Sequence, residues 1–146
     1  ETCEYWQFKA IAGAPTEKVH VLRKAEIALA LNQSKKLDWV DQANLFAMGH
    51  GEGGDALAAY DDNNFKARVI SGALCKWGIG GTAMKQTLAV ASREDRLFLG
   101  EAADTCASKA KGRSWDTKLF DGFQHDTSSL PKARETVIHF LKTLVK

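Results

Sequence analysis

A chain of 146 residues with a formal net charge of +2, 45% hydrophobic and 26% charged, has the make-up of an ordinary globular protein. At this length one domain can bury roughly 68–70% of its unfolded surface. Lysine and arginine are scattered rather than gathered in a stripe, which excludes a nucleic-acid partner; no apolar run approaches the ~20 residues of a membrane helix and no signal peptide opens the chain, so a soluble protein with no membrane partner is expected.

The chain opens on Glu1 rather than Met, so the expectation is that a targeting peptide or a segment of fold has been removed upstream; the compartment stays open. Pro15 and Pro131 each stand where a helix can begin, because the first helical turn leaves that N–H unpaired anyway. From Thr16, "TEKVHVLRKAEIALALNQSKKL" places Leu22, Ala25 and Leu29 at i, i+3 and i+7, predicting an amphipathic helix. "ANLFAMG" reads as a buried strand, the following "DALAAY" as helix, and "ARVISGA" and "TLAVAS" as two further strands. "LFLGEAADTCASKA" is read as helix, "WDTKLFDGF" as a fourth strand, and from Ser128 onward Val137, Phe140, Leu141 and Leu144 recur at helical spacing.

This alternation predicts an α/β fold with a mostly parallel sheet of about four strands, flanked by helices and joined by right-handed crossovers. No linker, repeat or low-complexity tract divides the chain, so residues 1–146 are expected to form a single domain, truncated at its N-terminus. Cys3, Cys75 and Cys106 are far apart and form no C-x-x-C pair. They allow at most one bridge, and buried free thiols are the expectation. His50 has no second histidine or cysteine at metal-ligand spacing, and no metal or cofactor is expected.

The glycines of "NLFAMGHGEGGDALAAY" admit two readings. Gly49, Gly51 and Gly54 satisfy G-x-G-x-x-G, but a dinucleotide-binding turn needs an acidic residue at the end of the next strand, and "ISGALCKW" has none. Glu52 would also set a carboxylate where the pyrophosphate belongs. The alternative is a tight strand-to-helix elbow, with Gly49, Gly53 and Gly54 as the small neighbours that let strand and helix approach. Such an elbow calls for an acid and a histidine after later strands, in chain order. Asp95 follows "TLAVASRE" and His125 follows "WDTKLFDGFQ", both at carboxyl ends of predicted strands, the edge where sites assemble in an open parallel sheet. Glu94 is the one-residue alternative to Asp95.

From Val40 to Lys146 the chain resembles the C-terminal half of an alpha/beta-hydrolase, in particular the dienelactone-hydrolase and small carboxylesterase branch. "VDQANLFAMGHGEGGDALAAY" is similar to the strand and nucleophile elbow usually written G-H-S-x-G-G, "LAVASREDRLF" to the turn bearing the acid, and "LFDGFQHDTS" to the loop bearing the histidine. "VLRKAEIALALNQ" is similar to the helix leading into the elbow strand. The resemblance implies a site with position 51 as nucleophile, His125 as base, Asp95 as its orienting acid and the Glu52 backbone N–H as an oxyanion donor, acting on a small-molecule ester or lactone. Here the nucleophile position holds Gly51, and a hydrogen cannot attack a carbonyl. The alternatives are an esterase altered at this position and a pseudoenzyme, either of them inactive in covalent acyl transfer; a non-catalytic binding or interaction module is the competing reading. The resemblance also implies missing N-terminal strands, which would leave the elbow strand's edge bare. A complementary segment or self-association is expected there, and "CEYWQFKAIAG" is apolar enough to contribute. His50 is expected to pack under the turn, His20 and His139 to lie at the surface or an edge, and Trp77 to line a substrate-facing loop or join the core.

Overall fold

A computed structural model describes residues 16–61, 64–80, 86–95, 97, 105–110 and 115–145. Cys3, Pro15, "CEYWQFKAIAG" and residues 98–104 of "LFLGEAADTCASKA" lie outside the described residues. The elements run α1 (Thr16–Ser34), β1 (Phe46–His50), α2 (Gly51–Ala58), β2 (Ala67–Ser71), β3 (Thr87–Ser92), α3 (Cys106–Lys109), β4 (Asp116–Phe120) and α4 (Pro131–Leu144). Their order is the one the hydrophobic patterns predict. The strands form one all-parallel sheet in the order β1-β2-β3-β4.

Every residue of β2 and β3 is buried, as expected for central strands of a parallel sheet covered on both faces, which read as continuous apolar runs rather than alternations. Ile70, Val69, Leu88 and Val90 fill the core between sheet and helices. Helix α2 packs on β1 and β2, α1 on α2, α3 on β3 and β4, and α4 on β2 and β3. Burying Arg68 in β2 is feasible because its Nη1 donates to the carbonyls of Leu57 (3.2 Å) and Tyr60 (2.5 Å) at the end of α2, supplying acceptors a desolvated cation requires.

The structure corrects the sequence reading in several places. Helix α1 forms, but the stripe of Leu22, Ala25 and Leu29 faces outward, with Leu22 55% and Leu29 59% exposed. Its packed side is His20, Lys24, Ile27, Leu31 and Ser34, because α1 must seat on the short α2 rather than on the sheet, and periodicity cannot tell which of two faces meets a neighbour. β1 starts at Phe46 and runs one residue past "ANLFAMG", to His50, so the helix follows without a connecting loop. Instead of free thiols, Cys75 and Cys106 form a disulfide with Cα atoms 4.9 Å apart. The parallel order brings the segment after β2 against the start of α3, where Cys106 N donates to Ala73 O at 2.8 Å. A sequence separation of 31 residues gives no hint of that proximity.

β1 is an edge strand, and among the described residues no strand pairs its outer side. Met48 is 55% exposed there. A cavity of about 750 Å³ runs along this edge, walled by Ile27 and Leu31 of α1, Phe46 and Met48 of β1, and Phe65. No described helix is long and apolar enough to cross a membrane.

Candidate active site

Position 51 sits where strand becomes helix. His50 is extended (φ −120°, ψ 143°) and Gly51 opens α2 with φ +53°, a backbone conformation that costs an L-residue about 1–3 kcal/mol and that glycine adopts freely. Gly49 and Gly54 serve the same turn through lack of volume. A Cβ on Gly49 would stand 2.6 Å from Gly53 O, and one on Gly54 would stand 2.8 Å from Ala73 Cβ. Gly53 is a different case: a Cβ there meets nothing within 4 Å, so it is not one of the glycines that the close approach needs.

The turn points position 51 at a histidine. A Cβ on Gly51 would meet His125 Nε2 at 3.3 Å, and outside the helix's own backbone no other atom of the described residues within 4 Å. His125 lies beyond β4, and its loop is tied to the one after β3. Arg93 N donates to Phe120 O (2.9 Å), Glu94 N to Gly122 O (3.0 Å), and the buried Ser92 hydroxyl to Gln124 O (2.5 Å). That tie brings Asp95, 0% exposed, to His125, whose side chain is 23% exposed. Asp95 Oδ2 stands 2.8 Å from His125 Nδ1, and Oδ1 accepts from Leu97 N at 2.9 Å. An ionised carboxylate only accepts, so it holds the ring proton on Nδ1 and makes Nε2 the basic nitrogen of the neutral ring. Glu94, the register alternative, is exposed. Gly51, Asp95 and His125 therefore converge, as the sequence order suggested.

Glu52 is the second residue of α2, so its N–H has no acceptor inside the helix, and the His50 side chain makes no capping bond. The Glu52 carboxylate turns away to Arg23, with Nε 2.7 Å from Oε1, and Arg23 also pairs with Glu26; these two carboxylates raise the guanidinium pKa further above its ordinary value.

Other residues were misjudged or missed. His50 is exposed rather than packed beneath the turn; its ring lies 4.6 Å from that of His125. His50 Nδ1 is 3.3 Å from Ser71 Oγ, which is 2.7 Å from Thr127 Oγ1. Thr127 begins a short 3-10 turn capped by Asp126, which accepts from Ser128 N (2.9 Å) and Ser128 Oγ (2.8 Å). Those bonds, followed by the charges of His50 and His125, hold the Asp126 carboxyl below its ordinary range. This buried hydroxyl chain fixes the segment carrying His125, and its signals were serines at the ends of β2 and β3 and the capping sequence "DTSS". Trp77 lines a cavity of about 230 Å³ together with Gly51, Glu52, Lys76, Leu97 and His125. His20, also on that wall, is half-buried and stacks on Trp77 at 5.0 Å; burial, then Lys24, lowers its pKa, so it is neutral near pH 7. Asp55 is shifted upward by burial, partly offset by backbone N–H donors including Lys76. Among the described residues no three His, Cys, Asp or Glu side chains converge as a metal site would require.

No family model matches the sequence, and no curated protein matches it. Among solved structures the chain is similar to three crystal structures of Arabidopsis thaliana SOBER1, two of them single-substitution variants, with TM-scores of 0.55, 0.52 and 0.50 and identities of 19%, 18% and 18%. The likeness is to a four-stranded, all-parallel sheet flanked by helices, the α/β fold described above. The superposition covers 90% of this chain, which spans 64% of the first SOBER1 chain and 63% of the other two. At these identities the likeness is one of fold, and it does not single out the dienelactone-hydrolase branch.

Proposed function

We propose that this chain carries the scaffold of a carboxylic-ester or lactone hydrolase in which Gly51 replaces the nucleophile, so that acyl transfer through a covalent intermediate is closed to it. The observation that supports this most is the aim of position 51. Its Cβ direction meets His125 Nε2 at 3.3 Å, and His125 Nδ1 stands 2.8 Å from buried Asp95. A hydroxyl on that Cβ would fall within reach of the basic nitrogen, the arrangement an activated nucleophile needs. In this reading His125 moves the proton, Asp95 holds its tautomer and steadies the imidazolium, and the Glu52 N–H receives the oxyanion.

The test is Gly51→Ser assayed on a short-chain p-nitrophenyl ester. The expected result is a gain of at least about 10²-fold over the unsubstituted chain, the scale of one positioned acid–base group, with acyl-enzyme visible by intact mass. The gain should vanish in Gly51→Ser/His125→Ala. A folded Gly51→Ser chain that stays silent overturns the hydrolase reading.

A second reading, a non-catalytic interaction module, draws support from the 750 Å³ cavity along the unpaired side of β1. A complementary segment or a second copy of the chain would take that edge. Sedimentation that stays monomeric across a wide concentration range removes the self-association form of it.

A further inference from the structure

Resting on the hydrolase reading above, we infer that the chain hydrolyses activated acyl compounds by single displacement, with His125 and Asp95 driving a water held where a serine side chain would stand. The space is defined by the chain itself. At the point where a Cβ of residue 51 would lie, His125 Nε2 at 3.3 Å is, outside the helix's own backbone, the one atom of the described residues within 4 Å. A hydrogen in place of a CH₂OH group leaves a volume on the scale of one water, about 30 Å³, beside Nε2 of the imidazole that Asp95 orients. The Glu52 N–H lies one residue on, at the uncapped start of α2. The base, the water position and the oxyanion donor thus meet at one wall of the 230 Å³ cavity.

The step balances without another reactant. The water oxygen forms a bond to the acyl carbon as His125 Nε2 takes its proton, and the carbonyl oxygen becomes an oxyanion facing the Glu52 N–H. Collapse breaks the bond from acyl carbon to leaving group, and the proton on Nε2 passes to the departing sulfur or oxygen. The products are a carboxylic acid and a thiol or alcohol, and no acyl-enzyme forms.

The same cavity sets the substrate class. Its volume suits a short acyl group, and half-buried Trp77, stacked on His20, and Leu97 offer apolar walls for a leaving group. The lining carries Lys76 as well as Asp55, and Glu52 is paired with Arg23, so no single sign of charge dominates it. General-base assistance contributes about 10²–10⁴-fold and one oxyanion donor about 10²–10³-fold. Without covalent catalysis that favours acyl compounds with good leaving groups, thioesters and aryl esters, over alkyl esters.

The experiment follows p-nitrophenyl acetate with the unsubstituted chain, His125→Ala, Gly51→Ala and Gly51→Ser. The unsubstituted chain should release nitrophenol linearly above the buffer rate, with no burst and no acetyl adduct by intact mass. His125→Ala should lose at least about 10²-fold of that rate. Gly51→Ala, which sets a methyl in the water position, should lose it too while circular dichroism shows a folded chain. A rate in the unsubstituted chain no greater than buffer, or one that survives His125→Ala, overturns the inference. If the unsubstituted chain is silent while Gly51→Ser shows a burst, the water mechanism falls and the hydrolase scaffold stands. Silence in both removes both.

Discussion

Alanine substitutions at Gly49 and Gly53, four positions apart in one turn, should move stability in opposite directions. A methyl on Gly49 would stand 2.6 Å from Gly53 O, 2.9 Å from Gly53 C and 2.9 Å from Gly54 Cα, roughly 1 Å inside the ~3.5–4.0 Å optimum for such contacts. All three atoms are backbone at the start of α2, so no rotamer change relieves them; β1 and α2 must move apart. Overpacking of this kind costs about 1–3 kcal/mol, and the rigidity of the neighbours argues for the upper end. A methyl on Gly53 meets, outside its own helix backbone, nothing within 4 Å among the described residues and removes a helical glycine, a gain of about 0.5–1 kcal/mol. With a urea slope of about 2 kcal/mol/M, Gly53→Ala should raise the unfolding midpoint by about 0.3–0.5 M, while Gly49→Ala should lower it by about 0.5–1.5 M. Equilibrium unfolding followed by circular dichroism reads both. Equal midpoints for the two variants would refute the close strand-to-helix approach on which the placement of Gly51 depends.

Reducing the Cys75–Cys106 bridge, which closes a 31-residue separation, should cost roughly 3.5–4 kcal/mol by the chain-entropy relation. Thermal melting with and without dithiothreitol should show a drop that is absent in Cys75→Ser/Cys106→Ser; a melt that ignores the reductant contradicts the bridge. Arg68→Met should destabilise by about 1–3 kcal/mol, because the carbonyls of Leu57 and Tyr60 lose a buried donor; unchanged urea unfolding would show that Arg68 reaches solvent. Burial raises the folded-state pKa of Asp55, so the folded chain holds this proton more tightly than the unfolded one. The associated stability is full below the unfolded carboxyl range and is lost as pH rises through the raised folded value. Asp55→Asn should therefore flatten that part of the stability–pH profile and raise stability at neutral pH. A variant whose profile matches the parent refutes the assignment.

The element order was legible because each signal is local. A glycine-bounded apolar run such as "ANLFAMG" and the 3.6-residue recurrence of Val137, Phe140, Leu141 and Leu144 carry their own periodicity. The elbow was legible for a related reason, since Gly49 and Gly54, flanking the turn between strand and helix, leave no room for a Cβ, although Gly53 in the same cluster does. Asp95 and His125 could be picked out by their place after strand ends, and the structure does bring them within 2.8 Å. The face of α1 was not legible: Leu22 and Leu29 make as good a stripe as Ile27 and Leu31, and the choice between them lies in α2, not in α1. The disulfide, the hydroxyl chain of Ser71 and Thr127, and the His20–Trp77 stack likewise join residues whose separation in sequence carries no trace of contact.

The sequence by itself thus determined which segments are strands and helices, the parallel character of the sheet, and the absence of any side chain at position 51, since backbone sterics, side-chain period and atomic composition act within a few residues. Tertiary structure alone decided that Gly51 points at His125 Nε2, that Asp95 rather than Glu94 is buried beneath it, and that Cys75 meets Cys106. Those outcomes depend on how strands register side by side, and packing of distant segments is a property of the whole chain rather than of any stretch of it.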